Sequence, residues 1–339
     1  MTHRVLIPLA LSAPPTPVAG ARAWQWAGDT MGTTWSVAAE LPAACDPSSL
    51  GTGIRAVLDG VIAQMSNWSA DSDISRYNRA ASGEWVVLPE DALTVLTAAL
   101  RTARESGGAY DPSAGALVDL WGFGPAGRRD TAPAPDAIAR TRAHCGWQRM
   151  AVDIERRAVW QPGGISLDFC AIAKGFAVDA VSRYLNGAGV TSHLVEIGGE
   201  LRGHGVKADG MPWWVELESP HADGRGEGQE QDARTLVALC GLSVATSGDY
   251  RRYFEQAGRR YAHTIDPRTG YPATHALASV TVLHEEAMMA DAWSTALTVL
   301  GPDAGLQTAA RHALAARFLV RTPRGFDEHV SPAFAAMMQ

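Results

Sequence analysis

Apolar residues recur along this chain in two rhythms, and the places where the rhythm changes mark its elements. Residues 48–66 set Leu50, Ile54, Val57, Leu58, Val61, Ile62 and Met65 at helical spacing, which predicts an amphipathic helix. Just before it, "TMGTTWSVAAEL" (30–41) alternates like a first strand. A second helix is predicted at about 89–106, stopped by Gly107 and Gly108. "NWSADSDISRYN" (67–78), between the two, is polar and turn-rich.

The middle of the chain alternates. "RMAVDIERRAVWQ" (149–161) reads as a hairpin, 170–186 as a helix ending near Asn186-Gly187, and "HLVEIGGELRGHGV" (193–206) and "WWVELE" (213–218) as strands. "SPHADGRGEGQEQDAR" (219–234) has no apolar residues to bury beyond alanine and reads as an exposed hairpin loop. Strand patterns return in "TLVALCGLSVAT", "RRYAHTI" and "ASVTVL", followed by a helix at 286–300. Strands outnumber helices and hairpin signals recur, so the predicted class is α+β, with largely antiparallel sheets flanked by helices. No strand-GxGxxG-helix unit is present, which disfavours a Rossmann domain.

Composition narrows the function classes. With 339 residues and 46% apolar content, the chain can bury a substantial core. Its net charge is −7 and no dense basic cluster occurs, which argues against a nucleic-acid surface. No apolar run reaches the ~18 residues of a membrane span. The four cysteines, Cys45, Cys145, Cys170 and Cys240, are dispersed without a CxxC pair, so zinc-ribbon and thioredoxin-type chemistry is not expected. Ser247 lacks a GxSxG elbow.

Three segments carry candidate chemistry. In "EEAMMADAWSTALTVLG" (285–301), Asp291, Thr295 and Thr298 fall at i, i+4 and i+7 on one face of an otherwise apolar helix. A carboxylate in that setting must be paired or bound to a cation, and oxygen ligands one turn apart suit Mg²⁺. The alternative is an Asp291–arginine pair with Thr295 back-bonded to its own helix. In "YAHTIDPRTGYP" (261–272), alternation puts Tyr261, His263 and Ile265 on one face, so His263 is either a general base or a satisfied core histidine. In "SLDFCAIAKG" (166–175), Asp168 is the expected N-cap of the following helix, with Ala171 and Lys174 at its first turn. Lys174 there grips an anion or is simply solvated.

The order of these segments resembles one family. "MGTTWSV" (31–37), "MSNWSADSDISRYN" (65–78), "YDPSAGALVDLWGFGP" (110–125), "DFCAIAKGFAVD" (168–179), "LVEIGGEL" (194–201), "ATSGDYRRYFE" (245–255), "HTIDPRTGYP" (263–272) and "ADAWSTALTVLG" (290–301) are similar to motifs of the FAD:protein FMN transferases, the ApbE or thiamine biosynthesis lipoprotein family. The resemblance spans about residues 30–320. It implies an ApbE-like, T-fold-related architecture and Mg²⁺-dependent cleavage of the FAD pyrophosphate. FMN is then attached to a Thr or Ser hydroxyl of a target flavoprotein, a subunit of a membrane redox complex, and AMP is released.

Carried over by motif, the resemblance implies Ala171 (through its carbonyl), Asp291 and Thr295 as Mg²⁺ ligands. Met31, Trp68, Ala109, Tyr110, Asp111, Asp168, Lys174 and Ile265 become FAD contacts, and His263 the base-like catalytic residue. It divides the chain into a leader or signal segment (1–28), a catalytic domain (29–325) and a C-terminal tail (326–339). The expected location is periplasmic, or inner-membrane-associated on the periplasmic side, with the cytoplasm as the alternative. Two departures are Phe169-Cys170, where small or polar residues are common, and the missing lipobox. Two rival functions use the same residues: an FAD pyrophosphatase releasing FMN to water, and a flavin carrier that leaves FAD intact.

Overall fold

The computed structural model describes residues 4–9, 15–219, 234–249 and 252–338. Eight strands build the main sheet: β1 (Arg22–Thr30), β2 (Thr33–Leu41), β3 (His193–Ile197), β4 (Glu200–His204), β5 (Leu242–Gly248), β6 (Leu277–His284), β7 (Ala315–Thr322) and β8 (Gly325–Val330). They lie side by side in chain order, every neighbouring pair antiparallel, so the sheet is a meander with other elements inserted into its connections. The α+β expectation holds.

Two of the meander's turns are set by residues with positive φ. Met31 (φ 49°) and Gly32 (φ 72°) form the two-residue turn between β1 and β2, and Gly198 (φ 61°) and Gly199 (φ 100°) the one between β3 and β4. Two positive φ values match the right-handed twist of the flanking strands. The segment 193–206, expected as one strand, is therefore a hairpin. The two turns are neighbours: the Gly198 N–H donates to the Thr34 carbonyl, and Thr33 packs where a Gly198 Cβ would lie.

Four long helices serve this sheet: α1 (Pro47–Met65), α2 (Glu90–Glu105), α3 (Ala173–Gly187) and α4 (Ala287–Arg311). In α1, Pro47 occupies the first turn and the Asp46 carboxylate accepts the Ser49 N–H, which starts the helix where the periodicity begins. Its face of Leu50, Ile54, Leu58, Val61 and Met65 is buried with Trp35, Val37, Ala39 and Leu41 of β2 in the main core. β6 is buried along almost its whole length because both of its faces are covered. On the far face, Trp213, Val237, Leu239, Phe334 and Met337 pack against Val244, Leu283 and Ala315 of the sheet. α4 runs past the expected end at 300, with a kink at Gly301 (φ 79°) followed by Pro302.

Some boundaries differ from expectation for local reasons. α3 begins at Ala173, not 170, because Asp168 is not its N-cap. The Asp168 carboxylate instead accepts the Cys170 N–H at 2.7 Å, closing a turn ahead of the helix. The polar stretch 67–78 ends in a short helix, Asp73–Arg79, capped by Ser72. Residues 22–28 of the expected leader extend β1, and 326–330 of the expected tail lie in β8. The low-complexity stretch at 219–234 lies, but for its two ends, outside the described residues.

Candidate active site

Two helix starts meet at the centre of the site. At Gly175, in the first turn of α3, an added Cβ would lie 2.2 Å from the Ala287 carbonyl oxygen, so the two backbones touch and only glycine fits. Each helix then caps the other. The Gly175 N–H donates to Asp291 Oδ2 at 3.1 Å, while the Ala287 and Met288 N–H groups donate to the Asp179 carboxylate at 3.1 and 2.9 Å. Residues 175 and 179 on α3, and 287 and 291 on α4, are one turn apart, so the exchange needs no distortion of either helix. Arg202 of β4 pairs with Asp179 at 2.6 Å and donates to the Glu285 carbonyl.

Asp291 is 3% exposed, and no arginine pairs with it among the described residues. Burial raises its pKa, against the opposing pull of Lys174 and the Gly175 N–H. Lys174 is the electrostatic hub. Its ammonium lies 2.5 Å from Glu200 Oε1 and acts on Asp291, His263 and Cys170. It is thus held rather than simply solvated, and its partner Glu200 escaped the sequence reading because "VEIGGEL" drew notice only to its glycines. The backbone at the helix start is less open to an anion than expected. Ala173 N–H donates to the Phe169 carbonyl and Gly175 N–H to Asp291, so cationic character comes chiefly from the Lys174 side chain.

The donors fit a hard cation. Gly175 N–H would bond the Ala171 carbonyl if the helix began a turn earlier; its diversion to Asp291 leaves that carbonyl with no backbone donor among the described residues. Asp291 contributes a carboxylate whose Oδ2 accepts the Gly175 N–H, and Thr295, one turn on, a half-buried hydroxyl. Among the described residues no group of three His, Cys, Asp or Glu side chains forms a metal cluster. A single carboxylate with neutral oxygens suits Mg²⁺, which characteristically completes its shell with water and phosphate. Thr298 does not join them, because its hydroxyl donates to the Ser294 carbonyl at 2.7 Å.

His263 sits in the break between the strands Arg259–Ala262 and Ile265–Asp266. Its ring meets Phe123 edge-on at 6.3 Å, and Nδ1–H donates to the Arg252 carbonyl at 3.2 Å. That bond selects the tautomer and leaves Nε2 as the basic nitrogen. Burial holds its pKa below the ordinary 6.5. Ile265, two residues on, is buried among Trp121, Ile138 and Phe254, so what it offers a ligand is backbone.

The remaining candidates frame the same site. Asp168 N–H donates to the Pro112 carbonyl and Gly115 N–H to the Ser166 carbonyl, which lays 109–115 alongside 166–168. Asp111 braces this junction, accepting Ser113 N–H (2.8 Å), Ser113 Oγ–H (2.6 Å) and Trp147 N–H (3.1 Å). Ala109 is buried, and the buried Tyr110 hydroxyl has no partner among the described residues; Asp291, Asp168 and Asp111 all raise its pKa further after burial itself. Trp68, 55% exposed, acts on the Cys170 thiol beside Asp168. Met31 holds its left-handed conformation at the hairpin turn next to Gly198, two residues from Glu200. A non-glycine residue there costs about 1 kcal/mol, a strain the two-residue turn imposes on it.

The ApbE family model matches residues 31–318. The chain belongs to the ApbE family. The FAD:protein FMN transferase of Vibrio cholerae serotype O1 is 38% identical over 308 residues, covering 91% of this chain and 90% of that one. That of Haemophilus influenzae is 37% identical over 318 residues, covering 92% and 90%. Among solved structures, the apo form of the flavinyl transferase ApbE from Pseudomonas stutzeri superimposes with a TM-score of 0.86 at 38% identity, over 94% of this chain and 97% of that one. The Vibrio cholerae flavin transferase ApbE gives 0.85 at 35%, over 94% and 99%. This ApbE-family chain is accordingly a transferase with the ApbE architecture.

Proposed function

We propose that this ApbE-family chain is a Mg²⁺-dependent FAD:protein FMN transferase. It cleaves the FAD pyrophosphate, joins the FMN phosphorus to a Thr or Ser oxygen of a target flavoprotein and releases AMP. The observation that carries this reading is that the N–H of Gly175, next to Lys174 at the start of α3, donates to the buried carboxylate of Asp291, 116 positions away along the chain and one turn before the half-buried Thr295 hydroxyl. The transferase names of relatives at 37–38% identity support it.

The chemistry follows from charge. Phosphoryl transfer asks little covalent work of a protein but much positioning and cationic stabilisation. Mg²⁺, when bound by Asp291, Thr295 and the Ala171 carbonyl, would supply Lewis-acid stabilisation of the diphosphate. Lys174 places a further positive charge beside that position. His263 Nε2 takes the proton of the acceptor hydroxyl as its oxygen bonds to phosphorus; the bond from phosphorus to the bridging oxygen breaks, and AMP carries that oxygen away. Trp68 and Met31 offer an aromatic face and a thioether to the flat rings of FAD. No helix among the described residues is long and apolar enough to cross a membrane. The acceptor is, in this reading, a subunit of a membrane redox complex met on the periplasmic side.

AMP release measured with and without acceptor tests the reading against its rivals. Transfer predicts release that requires acceptor and matches adduct one for one. Release without acceptor would favour a pyrophosphatase, and intact FAD after long incubation with Mg²⁺ a carrier.

A further inference from the structure

We propose that Glu200 is a positioning residue whose carboxylate holds the Lys174 ammonium away from Asp291, so that Asp291 is left to a cation. This rests on the reading of Asp291 as a cation ligand.

Three carboxylates and two basic side chains meet where α3 crosses α4 and β4. Lys174 and Asp179 come from α3, Asp291 from α4, and Glu200 and Arg202 from β4. Asp179, Glu200 and Asp291 are all buried, and a buried carboxylate left without a partner is costly. Arg202 takes Asp179 at 2.6 Å and Lys174 takes Glu200 at 2.5 Å. Asp291 forms no ion pair among the described residues and accepts the Gly175 N–H.

The fold imposes this sorting. Glu200 opens β4 directly after the Gly198-Gly199 turn, paired with Ile197 across the hairpin. Alternation puts Glu200 and Arg202 on the side of α3, while Leu201 between them packs against the far-face cluster. Asp179 is already occupied by Arg202 and by the first N–H groups of α4. Of the three carboxylates, Lys174 is therefore left with Glu200 and Asp291.

Asp291 is within its reach. Asp291 Oδ2 lies 3.1 Å from the Gly175 nitrogen, which a single carbonyl carbon joins to Lys174 Cα. The carboxylate is thus within about 6 Å of that Cα, a span that a four-carbon lysine stem covers. A direct Lys174–Asp291 pair would satisfy both charges and set an ammonium where a divalent cation would bind. Glu200 is the competing carboxylate that prevents it. Lys174 then stays beside the site as a positive charge, and Asp291 keeps its negative charge for the metal. Partners that orient a metal site in this way characteristically matter about 10-fold or more in metal affinity.

The test is Mn²⁺ binding by electron paramagnetic resonance on the full chain, with and without saturating FAD and with no acceptor. Glu200→Gln, which keeps the side chain's shape, is expected to raise the Mn²⁺ dissociation constant about 10-fold, most clearly without FAD. Lys174→Met is expected to bind Mn²⁺ no more weakly than the unsubstituted chain. Adding Glu200→Gln to Lys174→Met is expected to change nothing further, since Glu200 acts through Lys174. A purely structural or directly electrostatic role of Glu200 would leave its loss intact in the Lys174→Met background. That persistence, or unchanged affinity in Glu200→Gln while Asp291→Asn weakens binding, would overturn the role of Glu200 and leave Asp291 a ligand. Affinity unchanged in Asp291→Asn, or no Mn²⁺ bound by the unsubstituted chain, would overturn both.

Discussion

Asp291, on the fourth long helix, accepts the backbone N–H of Gly175, on the third, at 3.1 Å. The residue that would ligate the cation is thus also the cap of the helix that carries Lys174. Asp179 returns the exchange by accepting Ala287 and Met288 N–H. Asp291 thus joins the candidate site to the packing that Asp179 completes, and this coupling gives the first two predictions.

Gly175→Ala should act as an overpacking change. Its Cβ would sit 2.2 Å from a backbone carbonyl that cannot turn aside, so the helix starts must separate. A loss of about 1–3 kcal/mol is expected in urea unfolding, with transferase activity falling further than stability. An unchanged midpoint would show that the contact relaxes without cost.

Asp179→Ala strips a buried carboxylate from Arg202 and two helix N–H groups at once. Breaking a buried pair this way costs about 3–5 kcal/mol. Thermal unfolding should show the loss clearly, and Asp179→Asn, which keeps an acceptor oxygen, should recover part of it.

His263→Ala should slow FMN transfer by ~10²–10⁴ while sparing FAD binding, which fluorescence quenching can follow. In the intact protein burial lowers the His263 pKa, so the basic form persists below pH 6.5. The acid limb of kcat/KM should accordingly lie below 6.5, and vanish in the variant.

His193 predicts a pH dependence of stability unrelated to catalysis. It is fully buried, its Nδ1–H donating to the Val190 carbonyl and its Nε2 accepting from Ser182, and burial lowers its pKa from 6.5 to about 4. The unfolded chain therefore binds the proton more readily. The neutral ring's contribution is complete above pH 6.5 and is lost as pH falls towards 4, about 3 kcal/mol in all. Urea midpoints between pH 7 and 4 measure it, and His193→Gln should flatten that slope.

Periodicity made most of the scaffold legible. Leu50 to Met65 and the alternation of Trp35, Val37 and Ala39 declared their elements because each buries one face. The candidate site residues Lys174, His263 and Asp291 were also visible, since polar groups in apolar surroundings need a reason. What stayed hidden was pairing across distance. Nothing local links Glu200 to Lys174, Asp179 to Ala287 or Ser247 to Thr295; the first and last are crossings of the meander with an inserted helix, and the second is a contact between two inserted helices. Asp168 misled because its turn bond to Cys170 competes locally with helix capping.

The central claim is covalent transfer, and intact-protein mass spectrometry of an acceptor tests it most directly. Incubated with this chain, FAD and Mg²⁺, a flavoprotein bearing the Ser/Thr acceptor motif should gain the mass of one FMN, lost when its acceptor hydroxyl is replaced by alanine. Acceptors that keep their original mass across several flavoproteins, with FAD intact or merely hydrolysed, would contradict it.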